Sequence, residues 1–191
     1  MSVTCVSYAA DGWGLGEVWH DGETLVWHEL PRPRPAPSSG TRVRARETPS
    51  QGGGENPPPT QVSVSAKRRR VRAATAPNVD QLVHRLRAYF AGERVEFGEV
   101  EIDDDGWTEF QRAVLEALRR VPYGEVVSYS DLARLAGYPR AQRAAGSFCA
   151  HNRFPLVVPC HRVVSSNGIG SYGSLGLHYK RRLLALEGVT L

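Results

Sequence analysis

Cysteine is scarce in this sequence of 191 residues, and long apolar runs are absent from it. The three cysteines, Cys5, Cys149 and Cys160, are an odd number and form no CxxC pair, which excludes a disulfide framework and predicts reduced thiols. No stretch of about 18 apolar residues occurs, so we expect neither a transmembrane helix nor a membrane partner. The first residues lack a basic segment followed by an apolar stretch, and a signal peptide is not expected. These absences predict an intracellular protein, cytoplasmic if bacterial and nuclear if eukaryotic.

Positive charge is concentrated in one segment. Residues 31–75 contain ten Lys or Arg side chains against two acids, and eight prolines fall between Pro31 and Pro59. Such a segment cannot bury enough apolar surface to offset its ordering entropy, which predicts a disordered basic insert over about 31–75. The run from Lys67 to Arg70 is interpreted either as a contact for a phosphate backbone or an address signal, or as part of a solvated spacer without a function.

The N-terminal part outside this insert has the pattern of a small sheet with one helix. Strands are predicted at 3–8, 14–19 and 24–28, with Asp21-Gly22 as the turn between the last two. Asn78 is suited to cap a helix that ends at Gly92, and a fourth strand is predicted over 95–102. We place a domain boundary after residue 105, which gives an N-terminal sheet domain over 1–105 and a second domain over 106–191.

The second domain is predicted to be mainly helical. Thr108 and Gln111 form a capping box for a helix that ends near residue 120. Ser128 is suited to cap the next helix, over 129–136, and Pro139 is placed in the first turn of another that runs to about residue 150. Two short helices joined by a tight turn predict a helix-turn-helix. The fold class is therefore α/β in the α+β sense, with a winged-helix-like second domain.

One cysteine has the surroundings of a nucleophile. Cys160 lies between Pro159 and His161, after the apolar run 154–158. His161 can take the thiol proton directly or through water, and the thiolate is the nucleophilic form. From this pair alone, a buried structural cysteine beside a histidine is the alternative.

Residues 106–191 resemble the C-terminal domain of the O6-alkylguanine-DNA alkyltransferases, also called methylated-DNA–protein-cysteine methyltransferases. Residues 1–30 and 76–105 resemble the small sheet domain of that family only loosely, and the insert has no counterpart in it. The motifs that carry the resemblance are Gly124-Glu-Val-Val-Ser-Tyr129, Arg143-Ala-Ala-Gly146, Asn152 with Pro155, Val158-Pro-Cys-His-Arg-Val-Val164 and Lys180-Arg-Arg-Leu-Leu-Ala-Leu-Glu-Gly188.

The resemblance implies direct DNA repair without a cofactor. A monomer would bind double-stranded DNA containing O6-alkylguanine from the minor groove, with O4-alkylthymine as the other lesion considered. It would flip the damaged base out of the stack and transfer the alkyl group from O6 to its own cysteine in one irreversible turnover. Residues 106–191 would then form the catalytic and DNA-binding domain.

The family's functional residues fall on matching positions in this sequence. The resemblance implies that Cys160 is the alkyl acceptor, that His161 is its base through a water molecule, and that Glu187 orients His161 in a relay of the triad kind. Asn152 would hold the geometry near the thiol. Tyr129 would crowd the phosphate, promote flipping and donate a proton to the leaving guanine.

The remaining implied roles concern DNA and the alkyl pocket. Arg143 would fill the gap that the flipped base leaves in the stack, and the small residues Ala144 and Gly146 would let the helix enter a narrow groove. For the pocket, the resemblance implies walls from Pro155 and Tyr172, with Ser174 near the guanine oxygen.

The sequence departs from the family pattern around this pocket. The pocket tyrosine aligns with Tyr172 or, without a gap, with Gly173, and Leu175-Gly176 replaces the usual pair of glycines, which leaves the pocket size open. Some family members hold an N-terminal zinc. In this sequence the N-terminal residues that could supply zinc ligands follow no standard ligand spacing, so no metal is predicted. They are Cys5, His20, His28 and His84.

Two other functions compete with suicide transfer. Alkyltransferase-like proteins bind and flip the lesion but lack the acceptor cysteine, so the presence of Cys160 favours transfer. An unrelated cysteine–histidine hydrolase would need an oxyanion hole, for which the sequence has no motif. Cys149 is interpreted as a packing residue, since a reactive thiol needs an exposed, electropositive setting.

Overall fold

The computed structural model describes residues 3–22, 24–33 and 78–191. Three antiparallel strands form a sheet in the order β1-β2-β3, and five helices follow. A two-stranded parallel pair, β4 and β5, joins the helical part. The α+β fold class is confirmed. The bounds are β1 Thr4–Ala10, β2 Gly14–His20, β3 Leu25–Arg32, α1 Val79–Phe90, α2 Glu109–Arg119, β4 Val127–Ser128, α3 Tyr129–Leu135, α4 Gln142–Ala150, β5 Val163–Val164 and α5 Gly176–Leu186.

The helix starts follow the local capping chemistry. Thr108 and Gln111 form the predicted capping box of α2, and Ser128 forms one with Asp131 at the start of α3. Asn78 accepts from the backbone of the second residue of α1. Each of these caps satisfies backbone N–H groups that lack a partner within the helix, which explains why the sequence locates these boundaries well.

Two predicted elements are wrong. Residues 95–102 form no strand, because a turn closed by Val100 N and Phe97 O interrupts them and only Ile102 bridges to β3. Pro139 is not in the first turn of α4. It lies in a separate turn, which the hydrogen bond from Ala141 N to Tyr138 O closes before the helix begins.

The N-terminal border of the predicted insert also needs correction. Pro31 and Arg32 belong to β3, where Arg32 pairs with Leu15 of β2. A register shift between this pair and the Glu17–Glu29 pair leaves one extra residue on β3. Proline lacks an N–H and is tolerated at such a bulge. The rest of the insert, from residue 34 to residue 75, lies outside the described residues.

The core runs without interruption from the sheet into the helices. Tyr8 and Val18 from the sheet, Leu86 from α1, Leu118 from α2 and Leu132 from α3 are all buried in one apolar cluster. Helix α3 packs against α4, as a helix-turn-helix would require, and Leu132 of α3 and Ala145 of α4 belong to the same cluster. The division into domains at residue 105 stays a prediction.

Candidate active site

Cys160 begins a short 3₁₀ turn, Cys160–Arg162, between the apolar run and β5. Its backbone N–H donates to Val158 O at 2.8 Å, so the chain makes a tight three-residue turn about Pro159. Cys160 is only 7% exposed. Cys160 is therefore buried at the start of this turn.

Asn152 fixes a hydrogen-bond donor against this sulfur. Its Nδ2 donates to Cys160 Sγ at 3.0 Å and to Val158 O at 2.8 Å. Its Oδ1 accepts from Phe154 N at 2.9 Å. Because both halves of the amide are engaged, the side chain cannot turn its oxygen towards the thiol without losing these bonds.

A buried charged network stands behind the residue that follows the cysteine. His161 Nε2 lies 2.8 Å from Glu187 Oε1. The same carboxylate accepts from Arg162 through Nε at 2.9 Å and Nη2 at 3.0 Å. It also accepts from the Tyr89 hydroxyl at 2.7 Å and from Gly124 N at 3.2 Å. Glu187 is therefore surrounded by donors.

These contacts settle the protonation of the histidine. Burial alone would raise the pKa of Glu187, but the hydrogen bonds and charges of His161 and Arg162 hold the pKa of this carboxyl well below its usual range. An ionised carboxylate only accepts, so His161 carries its proton on Nε2. Its Nδ1 is then a lone pair, buried and without a hydrogen bond to any other described residue. Burial lowers the pKa of His161, against the effect of Glu187, and the ring is neutral and able to accept a proton.

The thiol is protonated at rest. Burial raises the pKa of Cys160, whereas the hydrogen bond from Asn152, the charge of Lys180 and the nearby hydroxyl of Tyr172 oppose this effect. A buried thiol of this kind reacts when a base removes its proton and the remaining groups stabilise the thiolate.

Lys180 connects the thiol's surroundings to the loop over 165–175. The side chain is fully buried, and burial lowers the pKa of Lys180. Its ammonium group donates to three backbone carbonyls, those of Val163 at 2.5 Å, Ile169 at 2.7 Å and Ser171 at 3.3 Å. The cation therefore fixes β5 and the loop that carries Tyr172 in one arrangement.

The residues predicted to act on DNA divide into two groups. Tyr129, the first residue of α3, packs near Gly146 of α4 and near the 165–175 loop, and burial raises its pKa while Ser171 opposes the rise. It lies close enough to Cys160 for the charges to interact. Arg143 and Ala144 lie on the exposed side of α4. Arg143 makes no hydrogen bond or ion pair to another described residue.

The three predicted pocket residues are each held in place differently. Pro155 O accepts from His28 Nδ1 at 2.7 Å. The Tyr172 hydroxyl is buried near Cys160, so the tyrosine at position 172, and not Gly173, faces the thiol. Ser174 is exposed and accepts from Arg32 Nη2 at 3.1 Å.

Sequence reasoning assigned no role to three residues that the network requires. Arg162 neutralises Glu187, Tyr89 donates to the same carboxylate, and the charge of Lys180 lowers the pKa of the thiol. The sequence did contain a signal that Lys180 is buried. It lies on one helical stripe with Leu183, Leu184 and Glu187, at the spacing of core positions. Nothing in the sequence marks Arg162 as buried.

Within the described ranges, no group of three His, Cys, Asp or Glu side chains could hold a metal ion. His28, considered above as a zinc ligand, instead bonds Tyr8 and Pro155. Burial raises the pKa of Cys149 strongly, which agrees with its interpretation as a packing residue. No helix in the described part of the chain is both long and apolar enough to span a membrane.

The chain is similar to known proteins both in sequence and in structure. The family model described as "6-O-methylguanine DNA methyltransferase, DNA binding domain" matches residues 109–189. A methylated-DNA–protein-cysteine methyltransferase of Mycolicibacterium paratuberculosis is 50% identical over 106 residues, which are 55% of this chain and 62% of that relative. The chain thus spans less than two thirds of this relative's length.

Two further comparisons cover a larger share of the related protein. A solved structure of Mycobacterium tuberculosis OGT in complex with DNA matches with a TM-score of 0.64 and 31% identity, covering 96% of this chain and 92% of that one. The constitutive methylated-DNA–protein-cysteine methyltransferase of Bacillus subtilis is 40% identical over 115 residues, 60% of this chain and 68% of the relative. With this coverage, and with the signature cysteine in the buried site that the geometry describes, the chain belongs to the methylated-DNA–protein-cysteine methyltransferase family.

Proposed function

We propose that this protein repairs O6-alkylguanine in double-stranded DNA by moving the alkyl group irreversibly onto Cys160. The observation that carries the proposal is His161, the residue next to the thiol: Glu187 fixes its tautomer, and its Nδ1 has no hydrogen-bond partner in the part of the chain that the structure describes. A neutral base with a defined lone pair is what activation of a buried thiol requires. The family name and the DNA-bound M. tuberculosis relative support the substrate.

The proposed chemistry balances as one displacement. His161 Nδ1 takes the thiol proton through an intervening water, and the imidazolium is stabilised by Glu187. The thiolate, which Asn152 and Lys180 stabilise, attacks the alkyl carbon. The S–C bond forms as the C–O6 bond breaks, and guanine leaves with a proton. Tyr129 is proposed to donate that proton: burial raises its pKa, so its hydroxyl is protonated, and the proton held on His161 then returns to Tyr129 through solvent.

DNA binding is proposed to use α3 and α4 as a helix-turn-helix. The exposed side of α4 carries Ala144 and Arg143, which bonds no other side chain in the described ranges, and Gly146 leaves room beside Tyr129. Small residues allow close approach to a groove, and a free cation can occupy the gap left by a flipped base. Pro155, Tyr172 and Ser174 are proposed to line the alkyl pocket. A monomer suffices for every step, because all the proposed groups lie on one chain.

Intact-protein mass spectrometry after incubation with a duplex containing O6-methylguanine tests the proposal. We expect a gain of about one methyl group, about 14 Da, located at Cys160 and saturating at one equivalent. Cys149→Ser is the matched thiol control and should still gain the methyl group, whereas Cys160→Ser should not.

The alternative is a lesion-binding protein with weak or no transfer. It would be indicated by tight binding that prefers the O6-methylguanine duplex over an undamaged one, without a mass gain on the wild-type protein. The hydrogen bond from Asn152 to the Cys160 sulfur favours transfer, since a protein that only binds the lesion does not need to stabilise a thiolate.

A further inference from the structure

Two of the three residues proposed to line the alkyl pocket, Pro155 and Ser174, are bonded to one strand of the N-terminal sheet. Pro155 precedes the cysteine, and Ser174 lies on the loop that follows it. His28 Nδ1 donates to Pro155 O at 2.7 Å, and Arg32 Nη2 donates to Ser174 Oγ at 3.1 Å. Both donors belong to β3, four residues apart.

On the Pro155 side the contact is buried and directional. His28 is 3% exposed. The Tyr8 hydroxyl lies 2.7 Å from His28 Nε2, and because a carbonyl only accepts, His28 must carry its proton on Nδ1 and accept from Tyr8. The backbone N of His28 also donates to Arg153 O at 3.0 Å. The strand thus holds the loop at residues 153 and 155.

The loop needs such support because its backbone is strained. Among the described residues other than glycine, Leu156 alone has a positive φ, 71°, a region that bulky side chains rarely adopt. It directly follows Pro155 and lies four residues before Cys160. Strained backbone of this kind persists where the surrounding contacts over-determine it. The bonds from His28 are contacts of that kind.

On the Ser174 side the strand end is shaped by its bulge. Pro31 and Arg32 follow the register shift in β3. Pro31 O accepts from the Tyr179 hydroxyl at 2.9 Å, and the Tyr179 ring stacks on Tyr172 with 6.4 Å between centroids. The end of β3 therefore contacts both the pocket loop and the helix that follows it.

We propose that β3 is the frame that sets the width of the alkyl pocket. His28 and Arg32 are positioning residues that hold the Pro155 and Ser174 walls apart at a fixed distance, and so determine which alkyl groups reach Cys160. This inference rests on the proposed function for the identity of the natural substrate. The contacts of β3 with the two walls do not depend on it.

The test compares bulky with small electrophiles at Cys160. Arg32→Ala is the main variant because the side chain is exposed and its loss should not threaten folding. Arg32→Lys keeps the charge and one donor, and Arg87→Ala removes an exposed α1 arginine that has no side-chain partner among the described residues. Rates are measured for iodoacetamide and N-benzyl iodoacetamide by peptide mapping of Cys160, and for duplexes with O6-methylguanine and O6-benzylguanine.

With the Ser174 wall released, the bulky-to-small rate ratio should rise about three- to ten-fold in Arg32→Ala, the range expected for one lost hydrogen bond. Arg32→Lys should return at least half of that change, and Arg87→Ala should leave the ratio unaltered. An unchanged ratio in Arg32→Ala, or an equal rise in Arg87→Ala, would overturn the proposal for Arg32.

The buried side is tested with Tyr8→Phe, which keeps the ring and removes only the hydroxyl that fixes the His28 tautomer. The ratio should again rise, by about two-fold or more, at unchanged far-ultraviolet circular dichroism. A constant ratio there would overturn the role of His28. The iodoacetamide pair needs no DNA. If the wild type alkylates with these reagents but takes no methyl group from DNA, the proposed function fails while the frame is still judged by the reagent ratio.

Discussion

Replacing Glu187 by glutamine should damage stability and transfer for two separable reasons. The carboxylate accepts from five donors, two of them on the buried Arg162. A glutamine amide would leave the Arg162 charge without a counter-charge and would turn an NH₂ group towards other donors. Breaking a buried ion pair from one side costs about 3–5 kcal/mol. For a chain of this size, that lowers the melting temperature by about 6–20 °C.

The rate should fall as well, because a neutral amide no longer stabilises the His161 imidazolium and its NH₂ group competes with its oxygen for the place that faces Nε2. We expect second-order methyl transfer to decrease by about 100-fold or more, which is the scale of losing an oriented general base. Differential scanning fluorimetry and denaturant unfolding measure stability, and quenched mass spectrometry measures transfer. Glu93→Gln, at an exposed site after α1, is the matched control and should change neither quantity.

A double variant separates the two effects. Arg162→Met with Glu187→Gln removes the uncompensated cation, so more than half of the lost stability should return while transfer stays slow. A single-variant cost below about 1 kcal/mol would refute the buried-pair reasoning. Recovery of transfer in the double variant would refute the role of Glu187 in fixing the histidine tautomer.

Three further outcomes are expected. Asn152→Ala should slow transfer by about ten-fold through loss of one hydrogen bond to the thiolate, and Asn152→Asp should slow it further because a carboxylate repels the thiolate; equal rates for the two variants in a transfer assay would contradict this. Arg143→Ala should weaken transfer from duplex DNA more than reaction with free O6-benzylguanine, and equal losses would contradict its role in the stack. Burial lowers the pKa of His28 from 6.5 to about 4, so its neutral form stabilises the fold fully above pH 6.5, and this contribution is lost as pH falls towards 4. The wild type should therefore lose about 2 kcal/mol of its advantage in unfolding free energy over His28→Gln between pH 7 and pH 4.5. Unfolding free energies of the two proteins that change in parallel with pH would contradict this.

The sequence located the elements whose boundaries depend on nearby residues. The caps at Thr108 and Ser128 involve partners three residues away, so a local pattern contains the whole interaction. The family signature identified Cys160 and its neighbour for a related reason, since they are consecutive in the chain. The strand predicted at 95–102 was wrong because its apolar residues contact the core from a turn and not from a strand. Contact with distant parts of the chain, and not the local pattern, determines the structure there.

The contacts that hold the site in place from the N-terminal sheet could not be predicted from local sequence patterns. His28 and Pro155 are separated by 127 positions and Arg32 and Ser174 by 142, so no local pattern links them. Lys180 has the spacing of a core position but the chemistry of a surface residue, and only the three carbonyls around its ammonium group explain its burial.

The distribution of buried charge is consistent with a thiol that stays protonated until His161 takes its proton. Arg162 neutralises Glu187, whereas Lys180 bonds only carbonyl oxygens among the described residues and keeps its charge available. At rest burial favours a neutral thiol and a neutral imidazole. In the proposed reaction, once the proton moves, Glu187 stabilises the imidazolium, and Lys180 with Asn152 stabilises the thiolate. Each charge of the proposed thiolate–imidazolium pair thus has a partner. Without His161 the thiol would lose the base that is proposed to take its proton, so the proposed reaction needs the complete site.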